Sequence, residues 1–252
     1  MQFQRGNIGA FFRNDPTLNA WWILDKDYHD LSGKGNHLTL NGNVVPAPIH
    51  GQYHNSSVYK FGGTTSDYLS VNSNSSLKPA KFSILVWVKM SSSEGNTLIL
   101  SKYSADPCDY EMSVGPNGYG FVRSDSASPK SYYAGWPDSE QQNKIYLKDN
   151  KWHLMVGTYD DRLHYYVDGQ WKDDSVAFTR ADSRTDPLNI GRRPYTGGEA
   201  PYSGNVGEVA IFSRALSPQE ISRYYKWATG VAKRKYTFET IELPQPNFFP
   251  FF

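Results

Sequence analysis

WHLMVGTYDDRLHYYVDGQW, residues 152–171, holds two apolar-rich runs separated by short polar breaks. WHLMVGTYDD (152–161) and RLHYYVDGQW (162–171) read as consecutive strands, because apolar positions recur there with a period of two. Asp168-Gly169 then supplies a hairpin turn. A type I′ turn needs positive φ at both central residues, which Gly adopts freely and Asp tolerates. A two-residue connection of this kind joins antiparallel strands, so the stretch commits its neighbourhood to an antiparallel sheet.

The same period extends outward. FSILVWVKM (82–90) places Phe82, Ile84, Val86 and Val88 on one face and Leu85 and Trp87 on the other, so both faces of that strand are expected to be covered. GEVAIFSRA (207–215) is another strand, and Trp87, Trp152 and Phe212 are expected in the core. Polar and glycine-rich clusters at 72–76, 91–96, 116–118 and 195–204 separate the runs. Many strands joined by short polar turns define an all-β, antiparallel two-sheet sandwich. One helix interrupts it. SPQEISRYYKW (217–227) has Ser217 as N-cap, Pro218 at the first helical position and Glu220 completing a capping box. Ile221, Tyr224 and Tyr225 follow the i, i+3, i+4 rule and would pin the helix to the sheet.

Beyond Gly230 the pattern stops. Three prolines in the last nine residues exclude a helix or a central strand, so 231–252 reads as an extended docking arm. It ends in NFFPFF (247–252), and Phe248, Phe249, Phe251 and Phe252 are its anchor, either on its own sandwich or on a neighbour. Residues 1–17, with the irregular RGNIGAFFRNDP, read as an N-terminal arm, which leaves 18–230 as the sandwich.

Charge excludes several partners. Lys and Arg total 26 against 25 Asp and Glu, so no global field recruits nucleic acid or an anionic membrane. No stretch approaches the ~20 apolar residues that a membrane span needs. The single cysteine, Cys108, rules out an intramolecular disulfide and leans towards assembly in a reducing compartment. MQFQRGNIGAFFRNDP does not read as a signal peptide, so synthesis and initial residence in the cytoplasm are expected.

Five stretches together resemble a known family: AWWILDKDYHDLSGKGNHLTLNG (20–42), YLSVNSNSSLKPAKFSILVWVKM (68–90), NKWHLMVGTYDDRLHYYVDGQ (150–170), LNIGR (188–192) and SGNVGEVAIFSRALSPQEISRYY (203–225). In that order they are similar to the concanavalin A-like, laminin-G-like jelly-roll domain over about residues 18–228. The resemblance implies a jelly-roll sandwich that hosts lectins, carbohydrate-binding modules, adhesion domains and glycanases. It also implies a structural calcium ion in some members, for which Asp25, Asp30 and Asn36 are the first candidates, since oxygen-rich loops suit hard cations. The competing reading of Asp30–Asn36 is a structural turn in which Asp30 binds loop amides. Gly207 stands where the family commonly has Asp, which weakens the calcium case.

Enzyme chemistry finds little purchase. The Glu-x-Asp-x-Glu strand of glycanases on this fold is missing, and Asp109-Tyr110-Glu111 offers only two acids expected on one, solvent-facing side. The six histidines have no zinc spacing, and there is no GxSxG elbow or phosphate loop. The expectation is therefore a non-enzymatic protein. Sugar sites need aromatic faces with polar rims, and two loops carry them: Tyr132, Tyr133 and Trp136 in one, Arg193, Tyr195 and Tyr202 in the other. A cell-surface glycan partner, the docking arm and the missing leader combine in a virion component, such as a phage decoration or tail-associated protein that joins other particle subunits. The alternatives are a free carbohydrate-binding module of a bacterial surface or secreted system, and a glycoside hydrolase with an unrecognised acid pair.

Overall fold

A computed structural model describes residues 8–25, 27–48, 57–90, 97–103, 106–128, 130–135, 145–181, 185–194 and 198–230. The strands in chain order are β1 (Leu18–Ile23), β2 (Thr39–Asn41), β3 (Val45–Pro48), β4 (Ser57–Gly62) and β5 (Tyr68–Val71). Then follow β6 (Phe82–Lys89), β7 (Thr97–Lys102), β8 (Tyr110–Val114), β9 (Gly120–Asp125) and β10 (Ser131–Ala134). β11 (Trp152–Tyr159), β12 (Leu163–Val167), β13 (Gln170–Asp174), β14 (Leu188–Ile190) and β15 (Ser203–Phe212) complete the set. Among the described residues, two α-helices, α1 (Ile8–Phe11) and α2 (Pro218–Thr229), and a short 3-10 turn at Ser75–Leu77 accompany them.

Among the described residues the strands form two antiparallel sheets. The eight-stranded sheet runs β13-β12-β11-β6-β15-β4-β3, with β1 also paired to β15. β15 is long enough to pair β4 through Ser203–Val206 and β1 through Glu208–Phe212. The seven-stranded sheet runs β10-β9-β8-β7-β14-β5-β2. The opening hairpin forms as its sequence predicts: Asp168 and Gly169 adopt φ of 53° and 75°, and β12 pairs β13.

The alternation in β6 divides the molecule into two cores. Phe82, Ile84, Val86 and Val88 point between the sheets, with Tyr110, Met112, Val122, Leu188 and Ile190. Leu85 and Trp87 point to the other side, where Ile8, Phe12, Ile221 and Tyr224 cover them. Each such side chain contributes roughly 1.5–3 kcal/mol by leaving water. α2 begins with both halves of its capping box in place and ends at Gly230 in the left-handed region, φ 70°.

Two expectations are corrected here. The N-terminal segment is not an arm from Ile8 onward. Ile8 is fully buried, Phe12 is 6% exposed, and the Phe11 and Phe12 rings pack edge-on against Tyr224 and Phe212 respectively. The second concerns Trp152, which opens β11 rather than lying mid-strand and is only half-buried, whereas Trp87 and Phe212 are in the core as expected.

Candidate functional site

The outer face of the seven-stranded sheet follows from the alternation of its strands. Tyr110, Met112 and Val114 of β8 enter the inter-sheet core, so Glu111 and Ser113 face outward. Val122 turns Phe121 and Arg123 of β9 outward in the same way, and Leu188 with Ile190 turns out Asn189. Register then lines up Glu111 with Arg123 and Ser101, and Ser101 with Asn189. Tyr133 lies opposite Arg123 on β10.

Charge on this face is organised in pairs. Arg193 donates to both carboxylate oxygens of Glu111, Nε at 3.2 Å and Nη2 at 3.0 Å. Arg123 forks onto Asp125 at 3.0 and 2.8 Å and reaches Asp106 at 3.3 Å. The two guanidiniums flank the Tyr103 ring, Arg123 at 4.8 Å and Arg193 at 5.2 Å from its centre. Arg123 also stands 5.8 Å from the Tyr133 ring. Burial, aided by the hydrogen bond to Asp106, pushes the Tyr103 phenol up to about 12, so it is a neutral donor at pH 7. Tyr103, Tyr133 and Arg193 are half-buried and form the accessible rim. Behind them Ser101 Oγ, Ser113 Oγ and Asn189 Oδ1 are buried with no hydrogen-bond partner.

Of the residues singled out for glycan contact, the structure joins Tyr133 and Arg193 through Tyr103 and Arg123. Tyr132, one residue from Tyr133, turns the other way and stacks on Phe178 with ring centres 3.9 Å apart. Tyr202 is a correction: it is wholly buried, packs edge-on against Phe61, and its hydroxyl donates to Asn205 O, so it closes the core and meets no ligand. Trp136 and Tyr195 lie outside the described residues, as do Phe248, Phe249, Phe251 and Phe252 of the arm. Sequence reasoning missed Tyr103, Arg123 and Ser101. Their signal was position: Ser101 and Arg123 occupy outward places on strands whose alternate residues are apolar, and Tyr103 lies just past the end of β7.

The acid pair is also corrected. Asp109 and Glu111 are buried rather than solvent-facing, and each holds a different cation. Asp109 meets Lys102 at 2.7 Å and Arg180 at 3.9 Å, while Glu111 meets Arg193.

The loop proposed for calcium is a hydrogen-bonded turn. Asp30 accepts from the amides of Trp21, Ser32 and Asn36 and from the Ser32 hydroxyl, all at 2.9–3.0 Å. Asn36 is fully buried; its amide donates to Asn19 O and Ser76 Oγ, and its Oδ1 accepts from Asn74. Both residues spend their oxygens on N–H and O–H donors, so they do not suit a cation. Asp25 is half-buried in the turn after β1. Among the described residues no group of three or more His, Cys, Asp or Glu side chains could hold a metal ion.

Two stacked antiparallel sheets, a capping helix and a polar, aromatic-rimmed outer face define a lectin-like jelly roll. The chain belongs to the family described as the concanavalin A-like lectin/glucanases superfamily, Laminin_G_3, whose profile matches residues 62–222. Among solved structures it is similar to the binding domain of Paraclostridial Mosquitocidal Protein 1, with a TM-score of 0.65 at 16% identity over 83% of this chain and 52% of that one. The botulinum neurotoxin serotype G binding domain gives 0.61 at 17% identity over 82% and 50%. The binding domain of botulinum neurotoxin DC, solved in complex with rat synaptotagmin II, gives 0.63 at 15% over 84% and 52%. The chain thus spans about half the length of these structures, and the likeness establishes a shared fold. No curated protein sequence matches it.

Proposed function

We propose that this protein is a non-catalytic recognition module that binds a glycan on the outer face of the seven-stranded sheet. One observation carries the reading: Tyr103, Tyr133 and Arg193 gather on one sheet face as a half-buried aromatic and polar rim around Arg123. A hydroxyl-rich ligand meets this rim, where the tyrosine hydroxyls and the Arg193 guanidinium supply polar contacts and the half-buried Tyr133 side chain an apolar one. The acids nearby do not form a catalytic couple, because Glu111 and Asp125 are each neutralised by a forked arginine. The solved neighbours named as binding domains, one of them in complex with rat synaptotagmin II, favour recognition over catalysis.

We place the module on a virion or similar particle, joined to other subunits through the aromatic- and proline-rich segment 231–252. Glycan-array screening of the intact protein tests the binding reading. Tyr103→Ala and Tyr133→Ala are expected to weaken any glycan captured by about tenfold or more, equivalent to ~1.4 kcal/mol. Silence across a broad array, or capture untouched by both substitutions, would sink it.

A further inference from the structure

Thr158, His164 and Asp174 stand side by side on three adjacent strands, because β11 pairs Thr158 with His164 and β12 pairs His164 with Asp174. The next row places Tyr166 beside Trp171. Leu154 and Val156 of β11 and Tyr166 of β12 pack away from the inter-sheet core, so both rows lie on the outer face of the eight-stranded sheet. The residues leading into α2, with its first turn, rise beside them as a wall. Between floor and wall is a cleft of about 580 Å³.

Its chemistry is distinctive. Trp171 is 50% exposed, uncommon for so large an apolar side chain. Its indole is fixed, since Nε1 donates to Asp174 Oδ1 at 2.8 Å. The same oxygen lies 2.7 Å from His164 Nδ1, and His164 Nε2 lies 3.2 Å from Asp160 Oδ1. Asp174 Oδ2 makes no hydrogen bond to a described residue. Thr158 is 1% exposed, lines the cleft, and its Oγ1 has no partner. Burial would raise the Asp160 carboxyl, but the Asp161 amide and His164 outweigh it and hold it at about 2. Arg214, the arginine at the wall, is committed to Asp15 and Glu220. The cleft therefore presents the carboxylates of Asp160 and Asp174 and no uncommitted cation among its lining residues.

We propose that this cleft is a second carbohydrate site, which takes a neutral pyranose with its apolar face on Trp171 and a hydroxyl on Asp174 Oδ2. A flat, oriented indole matches the C–H face of a sugar ring, and a carboxylate oxygen matches its polar edge. The carboxylates repel sialic and uronic acids, so the site selects uncharged sugars. It lies on the opposite face of the sandwich from Tyr103 and Arg193, and the two sites together make the module bivalent.

Saturation-transfer NMR with the methyl glycosides of glucose, galactose, mannose and N-acetylglucosamine, with sialyllactose as the charged comparison, tests this site. At least one neutral glycoside is expected to bind, with affinity reduced ~10-fold or more in Trp171→Ala, partly restored in Trp171→Phe, and reduced in Asp174→Asn. Trp171 is exposed enough that its loss should leave the melting temperature nearly unchanged, which a thermal scan verifies. Retention of that binding in Tyr103→Ala separates this site from the one on the other sheet. Binding lost in Tyr103→Ala but unchanged in Trp171→Ala overturns the second site and leaves the first standing. Absence of binding by every neutral glycoside, preference for sialyllactose, or binding only of a lysine-rich peptide also overturns it.

Discussion

Lys102 Nζ stands 2.7 Å from Asp109 Oδ2, with both side chains wholly shielded from solvent. Arg180 approaches the other oxygen of Asp109 at 3.9 Å. Lys102→Met leaves Asp109 with a weakened set of cations and is expected to cost ~3–5 kcal/mol. Asp109→Asn strands two buried cations and should cost more. Combining Lys102→Met with Asp109→Leu removes one of the two stranded cations and should recover part of the Asp109→Asn loss, while Arg180 still lacks its carboxylate. Urea unfolding of the three variants measures the order.

Ile8 N–H donates to the buried Glu208 carboxylate at 2.8 Å, and Trp21 Nε1 donates to the same oxygen at 2.6 Å. The N-terminal segment is thereby tied into the second core. Phe12→Ala is expected to cost ~3–5 kcal/mol. At Gly9 a Cβ would stand 2.2 Å from the Trp21 ring, so Gly9→Ala must displace the indole, at ~1–3 kcal/mol. Loss of less than ~0.5 kcal/mol in both variants would show that the segment is dispensable.

His153 lies between Asp168, 2.8 Å from Nδ1, and Asp149, 3.0 Å from Nε2. Burial alone would lower the imidazole. The hydrogen bond and charge of Asp168, joined by those of Asp149, outweigh it and leave His153 above 6.5. A raised histidine favours the folded state fully below its unfolded value and loses that contribution as pH rises through the folded one. The stability gap between wild type and His153→Gln should therefore be widest near about pH 5.5 and shrink towards about pH 9. Denaturant midpoints at the two pH values give the comparison, and a gap that widens with pH contradicts it.

Ser217 Oγ accepts from the Glu220 amide, and Glu220 Oε2 accepts from the Ser217 amide at 2.8 Å. Ser217→Ala should cost ~1 kcal/mol by the loss of the cap. The hydrogen bond from Arg214 outweighs burial and holds the Glu220 carboxyl at about 2. A lowered carboxyl favours folding above its ordinary 4.5, and this contribution fades as the pH falls towards 2. Glu220→Gln should flatten the acid limb of the stability profile between those values.

Among the described residues, both cores are built from positions 8–228. Removing 231–252 is thus expected to leave the melting temperature within a few degrees of wild type while abolishing attachment to a particle. Co-sedimentation of the truncated protein with the assembled particle would count against the docking role of Phe248, Phe249, Phe251 and Phe252.

The strands, the Asp168-Gly169 turn and the Ser217 cap were legible because each is a local matter of side-chain period or backbone conformation. The two faces of β6 were legible for the same reason, down to which residues point each way. The recognition surfaces were only partly so. Tyr132 and Tyr133 are neighbours in sequence, yet one packs on Phe178 and the other faces out, a choice made by the pairing of β10 with β9. Tyr202 has the composition of a loop aromatic and the position of a core residue, since its amide is tied to Gly191 and its ring fills the space beside Phe61.

The sequence by itself determined an antiparallel jelly roll with one capped helix, because period, turn chemistry and motif order act over short distances along the chain. Only the tertiary structure decided where chemistry gathers. Glu111 and Arg193 are 82 residues apart, and the row Thr158–His164–Asp174 spans three strands. Such partners meet through strand register and the stacking of one layer on another. Those are set by how the whole chain buries its apolar surface, and no short segment encodes them.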